Sequence, residues 1–147
     1  MNSRQVLRQL LQRKTLLVAP GCFNGLSARL VEEAGFEAAY LSGGAVARSM
    51  GIPDIGLVTM SESIERAVEV VSAIKIPIIA DADTGYGNAV NLVRSVREFE
   101  RAGVAAIHIE DQITPKRCGH LDGKEVIPLS EMEMKLAAAL KTRTDPD

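Results

Sequence analysis

Four short apolar runs alternate along this chain with longer stretches of helical period, and few folds accommodate that alternation. Leu16–Ala19, Ala38–Leu41, Ile76–Ala80 and Ala105–Ile109 read as strands. Between them the spacing predicts a helix over Gly25–Ala34 with Leu26, Leu30 and Val31 inward, and a short one over Val46–Met50. A third opens at the T-x-x-E capping box of Thr59 and Glu62 and buries Ile64, Ala67, Val68 and Val71. A fourth is capped by Asn88, turns Leu92, Val93, Val96 and Phe99 inward, and stops at Gly103. A second capping box, Ser130 and Glu133, opens a last helix lined by Met134, Ala137 and Leu140. The junction Ala34-Gly35-Phe36-Glu37-Ala38 recurs as Ala102-Gly103-Val104-Ala105-Ala106, a glycine-capped helix turning into a buried strand. This pattern predicts the α/β class, with a parallel sheet and helices outside it. Four units are about half of a (β/α)8 barrel of the TIM type, which needs about 250 residues. An open doubly wound sheet is the alternative that fits 147 residues.

Residues 1 to 31 hold no acid but five basic residues, a composition shared with organelle transit peptides. Val6, Leu7, Leu10 and Leu11 instead predict a plain amphipathic helix, because the first strand follows at once. A net charge of -2 gives no global attraction to nucleic acid or anionic membrane. With no Trp, two Tyr and three Phe, base stacking on aromatics is also excluded as a mode of binding. Cys22 and Cys118 form no CxxC, and no apolar run approaches 18 residues, so a cytoplasmic setting with free thiols is expected.

Polar residues collect where the predicted strands end: Ser42, Asp81, Asp83 and Glu110. In parallel α/β folds that edge is where sites are built. Asp81 and Asp83 are two apart, which on a strand puts both on one face; Glu110 ends the next strand, with His108 beside it. Converging carboxylates raise one another's pKa, and a hard cation such as Mg²⁺ or Mn²⁺ relieves that strain. The following loop, Lys116-Arg117-Cys118-Gly119-His120, places two fixed cations and an imidazole beside a thiol, with a glycine that permits a tight turn. Cationic neighbours favour the thiolate. Such a loop suits an anionic substrate that must receive a proton.

Taken together, Tyr40-Leu41-Ser42-Gly43-Gly44, Asp81-Ala82-Asp83-Thr84-Gly85-Tyr86-Gly87, His108-Ile109-Glu110-Asp111-Gln112 and Lys116-Arg117-Cys118-Gly119-His120 resemble the isocitrate lyase / phosphoenolpyruvate mutase superfamily, and within it the methylisocitrate lyase family. The resemblance implies a (β/α)8 barrel, assembled as a homotetramer with a helix swapped between subunits. Residues 1–147 are then the N-terminal part of one barrel lyase domain, ending where a fifth strand would begin. It implies an Mg²⁺ (or Mn²⁺) site at Asp81 and Asp83, with Glu110 and Asp54 supporting it through water. Tyr40, Ser42, Gly43, Gly44, Cys118 and Gly119 are implied as substrate contacts. Cys118 is implied as the catalytic acid, with Lys116, Arg117 and His120 steadying charge around it.

The implied activity is Mg-dependent carbon–carbon cleavage of a 2-hydroxy di- or tricarboxylate, with 2-methylisocitrate giving pyruvate and succinate, as in propionate metabolism. Other superfamily chemistries are the alternatives: 2,3-dimethylmalate lyase, oxaloacetate decarboxylase, or a phosphonate-forming mutase. A different class of reading is a catalytically inactive truncated fragment. The expected partner is a small-molecule carboxylate, with no nucleic acid and no membrane.

Overall fold

The computed structural model describes residues 2–147. Among them six helices and four strands follow the order α1 (Ser3–Gln12), β1 (Gly21–Cys22), α2 (Gly25–Glu33), β2 (Ala39–Leu41), α3 (Gly43–Ser49), α4 (Met60–Ala73), β3 (Ile78–Asp81), α5 (Ala89–Ala102), β4 (Ala106–His108) and α6 (Leu129–Thr142). The strands form one sheet in sequence order, β1-β2-β3-β4, and every pairing is parallel. Sequential parallel strands with helical crossovers are the barrel arrangement; a doubly wound sheet reverses its strand order part-way.

The register sorts the strand residues onto two faces. Cys22, Leu41 and Ala80 lie side by side with Ile107 and pack beneath the helices, together with Ala28, Val70, Phe99 and Ala102. Tyr40, Ile79 and Ala106 share the opposite face. At the start of the strands that face is covered by α1, whose Leu7 packs with Ala38 and Ala105, and with Leu17 and Ala19 around them.

Helix boundaries follow the predicted chemistry in most places. Thr59 and Glu62 form a reciprocal capping box on α4, and the Asn88 carboxamide caps α5. Gly103 ends α5 in the left-handed region at φ 90°, where a side chain would be strained. Several expectations fail. The first strand lies at Gly21–Cys22, because the ladder to β2 begins only where the Pro20 carbonyl accepts from the Tyr40 amide at 2.9 Å. Upstream, Leu16 is 88% exposed. The third helix starts at Gly43 rather than Val46, since the Ser42 hydroxyl accepts from the Ala45 amide and caps it. Ser130 and Glu133 make no capping box: α6 starts at Leu129 behind Pro128, so both fall inside the helix. On α6 it is Lys135 that is buried, while Met134, Ala137 and Leu140 face outward. Leu26 and Leu30 of α2, Val68 of α4 and Leu11 of α1 are likewise exposed. No described helix is long and apolar enough to cross a membrane.

Candidate metal and active site

Asp81 is the last residue of β3, on the face that carries Tyr40 and Ile79. Asp83 lies beyond the strand, so the two-residue period does not orient it. A turn does: Asp83 has φ 52° and Gly85 has φ 87°, which folds the segment back on itself. The Asp83 amide donates to Asp81 Oδ1 at 2.9 Å, and the Gly43 amide donates to Asp81 Oδ2 at 3.2 Å. Asp81 is thus held between the acid turn and the start of α3. The glycines of that start are required by close approach. A Cβ at Gly43 would lie 2.9 Å from Asp81 Oδ2, and one at Gly44 would lie 2.7 Å from Asp54 Oδ2.

Glu110 reaches the same end of the sheet because its amide donates to the Asp83 carbonyl at 2.8 Å. Four carboxylates, those of Asp54, Asp81, Asp83 and Glu110, therefore influence one another. The cation that meets them is Lys116. Its side chain is only 4% exposed, and Nζ lies 2.5 Å from Asp54 Oδ1 and 3.9 Å from Asp83 Oδ2. Burial holds the Asp83 and Glu110 carboxyls above their ordinary range, although Lys116 pulls both down. Lys116 itself is raised: burial opposes its charge, but Asp54, Asp83 and Glu110 together outweigh it.

The segment from Gln112 to Val126 is a loop closed at its base by an antiparallel bridge between those two residues. Within it the Cys118 amide donates to the Asp54 carbonyl at 3.0 Å, and Cys118 Sγ lies 3.6 Å from His120 Nδ1. His120 is the basic neighbour that meets the thiol. Lys116 turns to Asp54, and an Arg117 nitrogen donates to the Asp122 carbonyl at 3.3 Å. The glycine argument does not apply at Gly119 in this conformation, where a Cβ would meet nothing within 4 Å. Ser42 is occupied as the cap of α3, and the Gly43 amide by Asp81. Tyr40 meets His108 across the sheet, with its hydroxyl 3.4 Å from Nδ1. Burial, with Asp81 and Glu110 nearby, pushes that hydroxyl up to about 12, so it stays a hydrogen-bond donor at neutral pH.

Two contributors stand in the quoted sequence motifs without having been given a role. Gln112 is buried and joins three parts of the loop: Nε2 donates to Glu110 Oε2 and to the Arg117 carbonyl, each at 2.9 Å, and Oε1 accepts from the Arg117 amide at 3.0 Å. Its position directly after Glu110-Asp111 was its only signal. Tyr86, at φ 61°, donates to Ser63 Oγ at 2.7 Å and helps wall the acid turn.

No three His, Cys, Asp or Glu side chains among the described residues converge closely enough to ligate one metal ion directly. A cavity of about 10 Å³, lined by Gly43, Asp54, Asp81, Asp83, Ser63 and Tyr86, offers room for about one water-sized occupant. Hard oxygen donors around such a space, already drawing in a buried ammonium, match Mg²⁺ held by one or two carboxylates with water completing its shell.

Both the sequence and the fold have counterparts among known proteins. The family model for phosphoenolpyruvate phosphomutase matches residues 7–147. The chain belongs to the isocitrate lyase / phosphoenolpyruvate mutase superfamily. It is 49% identical over 148 residues to 2,3-dimethylmalate lyase of Eubacterium barkeri, covering 100% of this chain and 51% of that protein. It is 49% identical over 140 residues to 2-methylisocitrate lyase of Aeropyrum pernix, covering 95% of this chain and 46% of that protein. A crystal structure of phosphonopyruvate hydrolase in complex with oxalate and Mg²⁺ superposes with a TM-score of 0.91 at 38% identity, covering 99% of this chain and 50% of that one. The chain thus spans about half the length of the relatives it matches, and its four βα units are about half of a TIM-type barrel.

Proposed function

We propose that these residues belong to an Mg²⁺-dependent lyase that cleaves a carbon–carbon bond in a 2-hydroxy di- or tricarboxylate, with 2-methylisocitrate as substrate. The observation that carries the reading is the juxtaposition of a four-carboxylate cluster with a thiol–imidazole pair on the adjoining loop, the Cys118 amide being tied to Asp54 itself. Asp81 and Asp83 would hold the ion, with Glu110 and Asp54 acting through water. When bound, the ion supplies Lewis acidity to the substrate's hydroxyl and adjoining carboxylate.

The chain's own residues then do the rest. Tyr40, Ser42, Gly43 and Gly44 border the space where the substrate carboxylate would lie, and Gly119 would offer a backbone contact beside the thiol. The hydroxyl proton passes to solvent water, and the neighbouring carbon–carbon bond then breaks as the oxygen's electron pair forms the carbonyl of the 2-oxo acid. One fragment leaves as a 2-oxo acid, and the electron pair stays on the other as a carboxylate-stabilised carbanion. Cys118 delivers its thiol proton to that carbon, with His120 placed to restore it. Lys116 and Arg117 steady the anionic fragment. We further propose a homotetrameric, cytoplasmic enzyme, in keeping with the free thiols.

The assay follows pyruvate release with Mg²⁺ from 2-methylisocitrate and from 2,3-dimethylmalate, in a protein carrying the whole barrel. Succinate as co-product from the first supports this reading. Preference for the second, with propionate as co-product, moves the substrate to 2,3-dimethylmalate; identity does not separate the two, being 49% to a lyase of each kind. Pyruvate released from neither substrate leaves a decarboxylase, a mutase or an inactive chain.

A further inference from the structure

Lys135 is a charged side chain placed where helices ordinarily put an apolar one. It is 2% exposed on α6, which packs against α5, while Met134, Leu136 and Leu140 of the same helix are exposed. Among the described residues no carboxylate lies within ion-pair distance of it. Its Nζ instead donates to the backbone carbonyl of Thr84 at 2.5 Å, in a fully buried bond. Burying a cation without a counter-charge is costly, and is seen where a hydrogen-bonded role compensates.

Thr84 is the residue through which such a role would act. It sits between Gly85 at φ 87° and Asp83 at φ 52°, the latter a left-handed position that is costly for a residue other than glycine and needs external support. Its amide donates to Asp83 Oδ1 at 2.8 Å, and its hydroxyl shares a hydrogen bond of 3.1 Å with Thr114 Oγ1, two residues before Lys116. Fixing the Thr84 peptide therefore fixes the Asp83 carboxylate from one side and the root of the thiol loop from the other.

We propose that Lys135 is a positioning residue: its ammonium clamps the Thr84 carbonyl and so sets the orientation of Asp83 in the acid cluster. The link to chemistry rests on the reading of Asp83 as a metal-holding residue; the clamp itself does not. The test is hydrogen exchange and Mn²⁺ calorimetry on the full chain, comparing wild type with Lys135→Met and Lys135→Arg. Loss of a charge-assisted hydrogen bond should speed exchange of the Thr84 and Gly85 amides about ten- to hundredfold in Lys135→Met, with α4 and α5 unchanged. Lys135→Arg should return exchange to within a few-fold of wild type, and Mn²⁺ affinity should follow the same order. Exchange that is unchanged, or that rises uniformly over the chain, overturns the clamp. If wild type takes up no Mn²⁺, the metal reading fails while the exchange result still decides the clamp. Should Lys135→Met not fold, Lys135→Gln replaces it with the same two outcomes.

Discussion

The two thiols differ in ways that a single reagent can read. Cys22 is fully buried under the helices, and burial pushes it up to about 11. Cys118 is partly exposed with His120 Nδ1 at 3.6 Å. Iodoacetamide near neutral pH should label Cys118 first, and substrate should protect it; preferential labelling of Cys22 would count against the assignment. In an intact barrel, Cys118→Ser should lower turnover about 10²- to 10⁴-fold with a much smaller effect on KM. In the same intact barrel, Asp83→Ala should abolish the Mg²⁺-dependent activity while the circular dichroism of the fold is kept. Glu110 permits a pH test. Its folded pKa is raised, so its protonated form favours folding; that contribution is complete below the unfolded value and is lost as pH rises through the folded one. The Tm of metal-free Glu110→Gln should therefore gain on wild type as pH rises above about 4, the ordinary glutamate range, and Mg²⁺ should close the gap. A gap that shrinks with rising pH contradicts the buried-acid assignment. At this scale the sequence was informative about residue type and less about direction. Asp81, Asp83, Glu110 and Asp54 do gather, but Asp83 is oriented by a left-handed turn rather than by strand alternation. Lys116, read as a neighbour of the thiol, is committed to the acids.

Elements were legible where a local signal and a burial pattern agreed. The α5 helix is the clear example: Asn88 caps it, Gly103 ends it, and Leu92, Val96 and Phe99 are all buried. Phe99 is completely enclosed between helix layer and sheet, and stacks on Tyr86 with ring centroids 6.4 Å apart. Phe99→Ala should cost about 3–5 kcal/mol in denaturant unfolding, with Thr59→Ala costing only about 1 kcal/mol as a lost exposed cap. Comparable losses at the two sites would mean that Phe99 is not central to the core. Legibility failed in part of α2, where Val31 is buried as expected but Leu26 and Leu30 are exposed, and in α6, where Met134 and Leu140 are exposed. Period fixes that a face exists; only tertiary packing decides which face is covered. The first strand was misplaced for a related reason, since Leu16–Ala19 is apolar without a partner on the β2 ladder.

For the molecule as a whole, the α/β class and parallel pairing were readable from alternation, whereas the half-barrel rested on the family resemblance until the strand order β1-β2-β3-β4 separated it from a doubly wound sheet. The outer strands β1 and β4 each carry an edge with no ladder partner among the described residues, and Leu26, Leu30, Leu136 and Leu140 lie exposed. Taken alone, the 147-residue chain should sediment as a species heavier than 15.8 kDa; a compact monomer with a cooperative melt would show that these surfaces tolerate water. At the opposite end from the acids, Arg4 pairs with Asp145 at 3.1 Å and Arg8 with Asp147 at 3.0 Å, which ties α1 to the chain's last residues. The loop that carries Cys118 is fastened quite differently. It is pinched at Gln112 and Val126 and meets the acid cluster through Lys116 and the Cys118 amide. In evolutionary terms this makes the segment carrying Cys118, the proposed proton donor, a replaceable cassette. Insertions or exchanges between Lys116 and Val126 can accumulate without disturbing strand register, so new reactions can be tried on an unchanged acid platform.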